Sequence, residues 1–411
     1  MGLMQWLGLQ KRGITLSSKE TEAIRFILGG NYTASGKSVT IDNSMGIPAL
    51  WAGFRLLGHT FGSLPFDVFE RTKDGEFLAV DHELTELLSK APNQVYNSFS
   101  WKEMMQVNLE SFGNAYSRIH RSRSGEITEI EWQDPNVVSV LYNPERRLKK
   151  YKLVRKDAAG KTKEIILDHD EMLHLMMMSK DGIIGQSPIN ACKEALGMML
   201  SAQEWGASYF GNGALPSGVF STPASLTPEQ VLQYQDLWRK QHQGASNSGN
   251  VAILHSGATY QQISATPVDA DFVKTMNWSG VQVCQILGIP PHLLGILDRA
   301  TNNNIEQQSI DNVVHCIRPR AKAWEVECNH KFFLTEKTRK KYFVRFNLDS
   351  LLRGDTAARG EFYSKMFNIG VFSPNDIRKQ EHLNPRPGGD EYFVQVNMGG
   401  NQTKKEESNE K

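Results

Sequence analysis

Cysteine is scarce in this 411-residue sequence. The four present, Cys192, Cys284, Cys316 and Cys328, stand too far apart for a Cys-x-x-Cys metal site or a secreted disulfide framework. They read as buried thiols in a reducing cytoplasm. Long apolar runs are missing too, and none approaches the ~20 residues that a membrane-spanning helix requires. The segment Met1 to Gly13 lacks the basic start and apolar stretch of a secretory signal, and Trp6 breaks the myristoylation pattern. The expectation is a soluble, intracellular protein with no membrane partner. Charge of one sign is absent as well: 46 Lys plus Arg face 45 Asp plus Glu, a formal net charge of +1. Tight nucleic-acid binding draws its affinity from neutralised phosphates, so an ordinary DNA-binding protein is disfavoured. A conduit that must let DNA slide is not.

Catalytic signatures are equally thin. Gly36-Lys37-Ser38 looks like the end of a phosphate-binding loop, but that motif needs glycine where Asn31 stands, and Gly30 is one place too early. An ordinary flexible loop is expected. His169 and His174 have no evident third ligand and lack zinc-helix spacing, so both are expected to be structural. No Gly-x-Ser-x-Gly elbow occurs. The runs Met176-Met177-Met178 and Met198-Met199 read as core filler. The basic runs 146–150 and 337–341 read as solvated turns. No cofactor is expected.

What is present is length and pattern. A chain of 411 residues accommodates two or three compact units. Residues 1–40 read as a flexible arm. From Ser44, apolar residues Ile47, Leu50, Trp51, Phe54, Leu57 and Leu64 recur at helical spacing up to Pro65. Alternation then predicts short strands at Phe66 to Phe69 and through Ile127, Ile130, Trp132, Val138, Val140 and Tyr142, with turns at Asp74-Gly75 and Asn143-Pro144. A helix is expected over Ser100 to Phe112. The first 185 residues thus read as α+β.

Ser187-Pro188 opens a helix that should run to Gly211/Gly213, and Thr227-Pro228-Glu229-Gln230 is a capping-box start. A short strand is expected at Val251 to Leu254 and a helix from Asp269 to Leu287, stopped by Gly288 and Pro290. Ile310, Val313, Ile317, Ala321, Trp324, Cys328 and Phe332 then predict a long helix, kinked by Pro319. Helices over Thr356 to Phe367 and from Ser373-Pro374 follow, and Gly399 to Lys411 reads as disordered.

Several stretches in this order resemble the phage portal protein family, the head–tail connectors of long-tailed bacteriophages. They are Ala49-Leu-Trp-Ala-Gly-Phe54 with Leu64-Pro65-Phe66-Asp67-Val68, then Glu171 to Leu175 followed by Ser179 to Ile189. The most specific are Leu287-Gly288-Ile289-Pro290-Pro291-His292-Leu293-Leu294-Gly295 and Asn302-Asn303-Asn304-Ile305-Glu306-Gln307. The resemblance implies a multi-domain α+β portal fold assembled as a ring, usually of twelve copies. It also implies a division of the chain: arm 1–40, wing 41–187, stem helix 188–215, clip 216–266, stem helix 267–290, tunnel loop 291–306, kinked helix 307–346, crown 347–396 and tail 397–411.

Within that scheme Leu297, Asp298, Arg299, Thr301, Asn302, Asn303 and Asn304 would face DNA in the channel. Gln235, Trp238, Arg239 and Gln243 would face the terminase or adaptor. The implied partners are further copies of the chain, double-stranded DNA, the terminase large subunit, the major capsid protein and a head–tail adaptor, with the virion's portal vertex as its location. No bond chemistry is implied. The alternatives are a DNA-processing ATPase or nuclease of the packaging machinery, or a purely structural capsid or tail protein.

Overall fold

The structure, a computed structural model, describes residues 33–73, 75–156, 160–211, 218–223, 226–242, 259–262, 268–296, 308, 310–348, 351, 356–381 and 383–393. The chain divides into two compact units, Met1–Phe346 and Asn347–Lys411.

In the first unit, a short helical turn α1 (Ile41–Ser44) leads into α2 (Pro48–Ser63). Proline at the first helical position costs no hydrogen bond, so α2 starts at Pro48 rather than Ser44. Its buried stripe is Leu50, Phe54, Leu57 and Phe61. Gly58 and Gly62 let it approach α4 (Ser98–Phe112) closely, because an added Cβ would sit 2.9 Å from Val107 and 2.8 Å from the Phe99 ring. Between them lie β1 (Phe66–Thr72), β2 (Gly75–Leu78) and α3 (Glu83–Ser89).

Strands β3 (Asn114–Arg121), β4 (Ile127–Gln133), β5 (Val138–Asn143), β6 (Leu148–Lys156), β7 (Thr162–Leu167) and β8 (Met172–Met176) complete the α+β region. They pair antiparallel as β4-β3-β8 and β5-β6-β7. The expected turn after Asn143 is there: its side-chain oxygen accepts from the amides of Glu145 and Arg146.

Ser187 caps α5 (Pro188–Ala191), and the chain breaks at Cys192 before α6 (Lys193–Gly211). The Thr227/Gln230 capping box opens α7 (Pro228–His242). A two-stranded pair, β9 (Gly218–Ser221) with β10 (Thr259–Gln262), was not legible in the sequence. The strand expected at 251–254 lies outside the described residues. Helix α8 (Val268–Leu287) ends at Gly288, whose φ of +63° lets the Ile289 amide return to the Cys284 carbonyl.

The long helix carries its irregularity as a π-helical segment, Asn312–Ile317, followed by α9 (Arg318–Phe332). Pro319 has no amide to give, and the preceding turn widens so that the Arg318 amide reaches the Val313 carbonyl. Ile310 is exposed rather than in the stripe, whereas Val313, Ile317, Ala321, Trp324, Cys328 and Phe332 are buried. The basic run 337–341 is a helix, α10 (Glu336–Lys341), and not a turn: the Thr335 hydroxyl caps it and Lys340 pairs with Glu336 one turn back.

Strand β11 (Tyr342–Phe346) pairs antiparallel with β1, placing Phe66 opposite Phe346 and giving the order β11-β1-β2. Its outer edge is covered by α9. The Asn329 side chain accepts from the Val344 amide and donates to the Val344 carbonyl, and Glu325 accepts from the Phe346 amide. A strand edge blunted in this way offers no template for foreign strands. Phe61, Phe66, Trp101, Trp324 and Phe346 meet here with ring centroids 4.1–6.3 Å apart. Burying each such ring stabilises by about 1.5–3 kcal/mol. A second buried cluster, Tyr116, Tyr151, Leu153, Leu167 and Met172, lies among the strands.

In the second unit, α11 (Thr356–Asn368) precedes α12 (Pro374–Gln380), whose start is a reciprocal Ser373/Asp376 capping box. Buried Asn375 ties the segment after α12 to its start through the amide and carbonyl of Arg386 and the Asp390 carboxylate.

Candidate functional site

The expected channel residues Leu297, Asp298, Arg299, Thr301, Asn302, Asn303 and Asn304 lie outside the described residues, as does Gln243. Gln235 is exposed on α7, and Trp238 and Arg239 lie on that helix. The structure does describe how both flanks of residues 297–307 are held.

That anchorage begins with α4, which buries two adjacent stripes. One is apolar, Trp101, Met105 and Leu109; the other is polar, Ser98, Lys102, Gln106 and Glu110. A buried polar group costs free energy unless it is paired, and each of these is. Ser98 donates to the Leu88 carbonyl, and Lys102 donates to the Leu64 carbonyl at 2.6 Å. Burial pulls the Lys102 ammonium down to about 8, with Asp67 partly offsetting it. Trp324 Nε1 donates to the Gln106 side-chain Oε1 at 2.8 Å, and Gln106 Nε2 donates to Glu110 Oε1 at 2.7 Å.

Glu110, fully buried, receives Arg320 in a two-pronged ion pair, Nε to Oε1 at 2.6 Å and Nη2 to Oε2 at 3.1 Å. Nη2 also donates to the Leu287 carbonyl at 2.7 Å, and Nη1 donates to the Cys316 carbonyl at 3.0 Å and its Sγ at 3.2 Å. Burial alone would lower the guanidinium's pKa, but the Glu110 hydrogen bond and charge outweigh it and leave it raised. Burial pushes the Cys316 and Cys284 thiols up. Arg320 therefore joins α4, the last carbonyl of α8 and the π segment.

A second joint sits where β8 leads toward α5. His174 is buried, its ring stacked on Tyr116 at 4.4 Å, with Nε2 3.0 Å from Asn114 Oδ1 and Nδ1 3.3 Å from the Tyr151 hydroxyl. The Asn114 amide is oriented by Gly185, whose N–H donates to Oδ1 and whose carbonyl accepts from Nδ2. Asn114 Oδ1 can only accept, so His174 Nε2 carries the proton and Nδ1 accepts from Tyr151. Burial, then the Lys149 and Lys331 charges, drive the imidazole from 6.5 to about 3. It is a neutral structural histidine, as expected. Lys149 ties the same loop by donating to the Gly182 carbonyl at 2.8 Å, and Ser187 donates to the Ser111 carbonyl.

Residues 48–381 match the family model described as phage portal protein. The chain belongs to that family. It is similar to the probable portal protein of Streptomyces phage phiC31, 27% identical over 390 residues, covering 90% of this chain and 82% of that one. It is likewise similar to the portal protein of Enterobacteria phage HK97, 27% identical over 358 residues, covering 86% and 82%. Among solved structures, its fold is similar to a chain in the neck of a native gene transfer agent particle computed with C12 symmetry. The TM-score there is 0.57 at 18% identity, covering 90% of this chain and all of that one.

For a portal-family chain, the look-alike phosphate loop is informative. It is not a free loop. The Thr33 amide donates to the Lys37 carbonyl at 2.8 Å and closes the turn, while the Ala34 amide donates to Glu194 at 2.8 Å and Lys37 pairs with Glu204, two contacts that dock residues 33–37 on α6. An amide already given to a carboxylate and an ammonium already paired are not arranged to cradle a phosphate. Among the described residues, no group of three His, Cys, Asp or Glu could hold a metal, and no helix is long and apolar enough to cross a membrane.

Two other expectations need correction. Met176 and Met177 are only half-buried, and Met178 is 81% exposed, because β8 ends at Met176 and leaves the others on a surface loop. Met198 is exposed on α6, and only Met199 fills the core. Cys192 is half-exposed at the break between α5 and α6, although the other three thiols are buried and all four are free. Sequence reasoning passed over the Glu110–Arg320 pair. Its signal was the polar repeat 98, 102, 106 and 110 running beside an apolar one.

Proposed function

We propose that this chain is the subunit of a closed ring of twelve copies at one vertex of a capsid, through whose bore double-stranded DNA enters and leaves. The observation that carries this reading is the family match across residues 48–381, joined by the likeness to a neck of twelvefold symmetry. Head-to-tail contacts between identical subunits close into a ring when their rotation permits. In this reading residues 41–187 form the wing, 188–215 and 267–290 the stem, 216–266 the clip and 347–396 the crown. The protein does no bond chemistry. A separate terminase pumps the DNA, the major capsid protein surrounds the ring, and the clip, with Gln235, Trp238, Arg239 and Gln243, meets terminase and then a head–tail adaptor.

Negative-stain images of the purified chain test the assembly. Annuli with a central hole are expected, and a strictly monomeric species at micromolar concentration would overturn the ring. Rings of another count would overturn only the number twelve.

The loop from Leu297 to Asn304 is assigned to the bore. Thr301, Asn302, Asn303 and Asn304 offer groups that exchange hydrogen bonds with phosphate and water, while Asp298 and Arg299 cancel and leave no electrostatic trap. Replacing Asn302, Asn303 and Asn304 with lysine should preserve rings and impair DNA packaging, with relief as salt rises. Normal packaging by that variant would refute the assignment.

A further inference from the structure

We propose that Arg320 is the positioning residue that fixes the base of the excursion between α8 and α9, independently of ring assembly. The inference rests on the channel reading of that excursion for its functional consequence, and on geometry alone for the tie itself. Leu287, the last residue of α8, and Arg320, the third residue of α9, lie 33 positions apart in sequence and are joined directly by the Nη2 donation at 2.7 Å.

All five guanidinium donors are spent: two on the Glu110 carboxylate, one on the Leu287 carbonyl, and two on the carbonyl and sulfur of Cys316. One planar group thus sets three elements against each other. The Cys316 carbonyl belongs to the π segment, so Arg320 also braces the turn loosened by Pro319. Gln106 and Trp324 hold Glu110 from the other side, so the anchor itself cannot swing. Lysine could not substitute, because three donors on one nitrogen do not reach acceptors spread around a fork.

The partner residues are not needed for a folded chain in the same way. Removing both charges together leaves no unpaired buried ion, and glutamine at position 110 still offers Gln106 an acceptor. The test compares the full-length wild-type ring with Arg320→Lys and with the double variant Glu110→Gln/Arg320→Met. Hydrogen exchange of backbone amides is followed through residues 288–296 and 310–317.

Both variants should form rings, and their exchange in those two windows should quicken at least tenfold, with α2 and β3 unchanged. DNA retention, measured in parallel, should fall. Uniform quickening across α2, α4 and α9 would mean that Arg320 is only a stabilising core residue and would overturn the proposal, as would unchanged exchange at 288–296. Should the double variant not fold, Arg320→Lys alone gives the same decision. Local quickening with normal DNA retention would uphold the tie and count instead against the channel reading of the loop.

Discussion

Mild acid should weaken this fold through one ring. His174 is neutral when folded and held near 3, whereas an unfolded chain titrates near 6.5. Below pH 6.5 the unfolded state therefore takes up a proton that the folded state refuses, so stability is full above 6.5 and declines as pH falls toward about 3. Linkage between those two values removes about 2 kcal/mol between pH 7 and pH 5, and about 5 kcal/mol once pH is below 3. The physical source is the closed set of partners: Tyr116 stacks on the ring, Asn114 accepts its proton, Tyr151 donates to the other nitrogen, and Lys149 and Lys331 oppose a second charge. The perturbation is His174→Gln, which cannot ionise and retains an amide donor for Asn114. Urea midpoints at pH 7 and pH 5, at fixed protein concentration, give the stability change for each chain. The variant will be less stable at pH 7 because it loses the stack, but its loss on going to pH 5 should be smaller than wild type's by about 2 kcal/mol. Carboxylates raised by burial, such as Asp67, titrate in both chains and cancel in the comparison. Equal losses in the two proteins would refute the reasoning.

Three further outcomes are expected. Gly113→Ala should cost about 3 kcal/mol or abolish soluble expression, because the residue has φ +73° and a Cβ would stand 2.2 Å from the Gln186 carbonyl oxygen; a thermal scan at wild-type values would contradict this. Trp324→Phe should lose about 1–3 kcal/mol in urea titration, chiefly by leaving the buried Gln106 oxygen without its indole donor. Lys37→Ala should change stability by less than about 1 kcal/mol, since its pair with Glu204 is partly exposed, and calorimetry with ATP and magnesium should show no binding heat in either chain.

Local signals were read well from the sequence. The starts at Pro188, Pro228 and Pro374 were legible because a cap is a contract among four neighbouring residues. The helix over 48–63 was legible because its apolar stripe is continuous. Strand β11 was not, since Tyr342–Phe346 is short and its partner lies near residue 66. The run 337–341 was misread because its charges suggested a turn, while Thr335 and the Glu336–Lys340 pair decide for a helix. The widened turn before Arg318 follows from Pro319 in hindsight, but sequence predicts a disturbance there and not its form. Of the site, the family motifs pointed to residues 297–304, whereas the Glu110–Arg320 anchorage joins residues 210 positions apart, a distance that periodicity cannot bridge.

The pairing of β1 with β11 also constrains how the chain is made. Phe66 leaves the ribosome long before Phe346, and at about 5–20 residues per second the interval is on the order of half a minute. For most of it the aromatic cluster lacks Trp324, and until its end it lacks Phe346, while β1 has only β2 at its side. The first unit can close only after Phe346 has been made. A nascent chain stalled before residue 342 should therefore remain open to proteases and to β1 edge pairing, while one extended past residue 346 and clear of the exit tunnel should not.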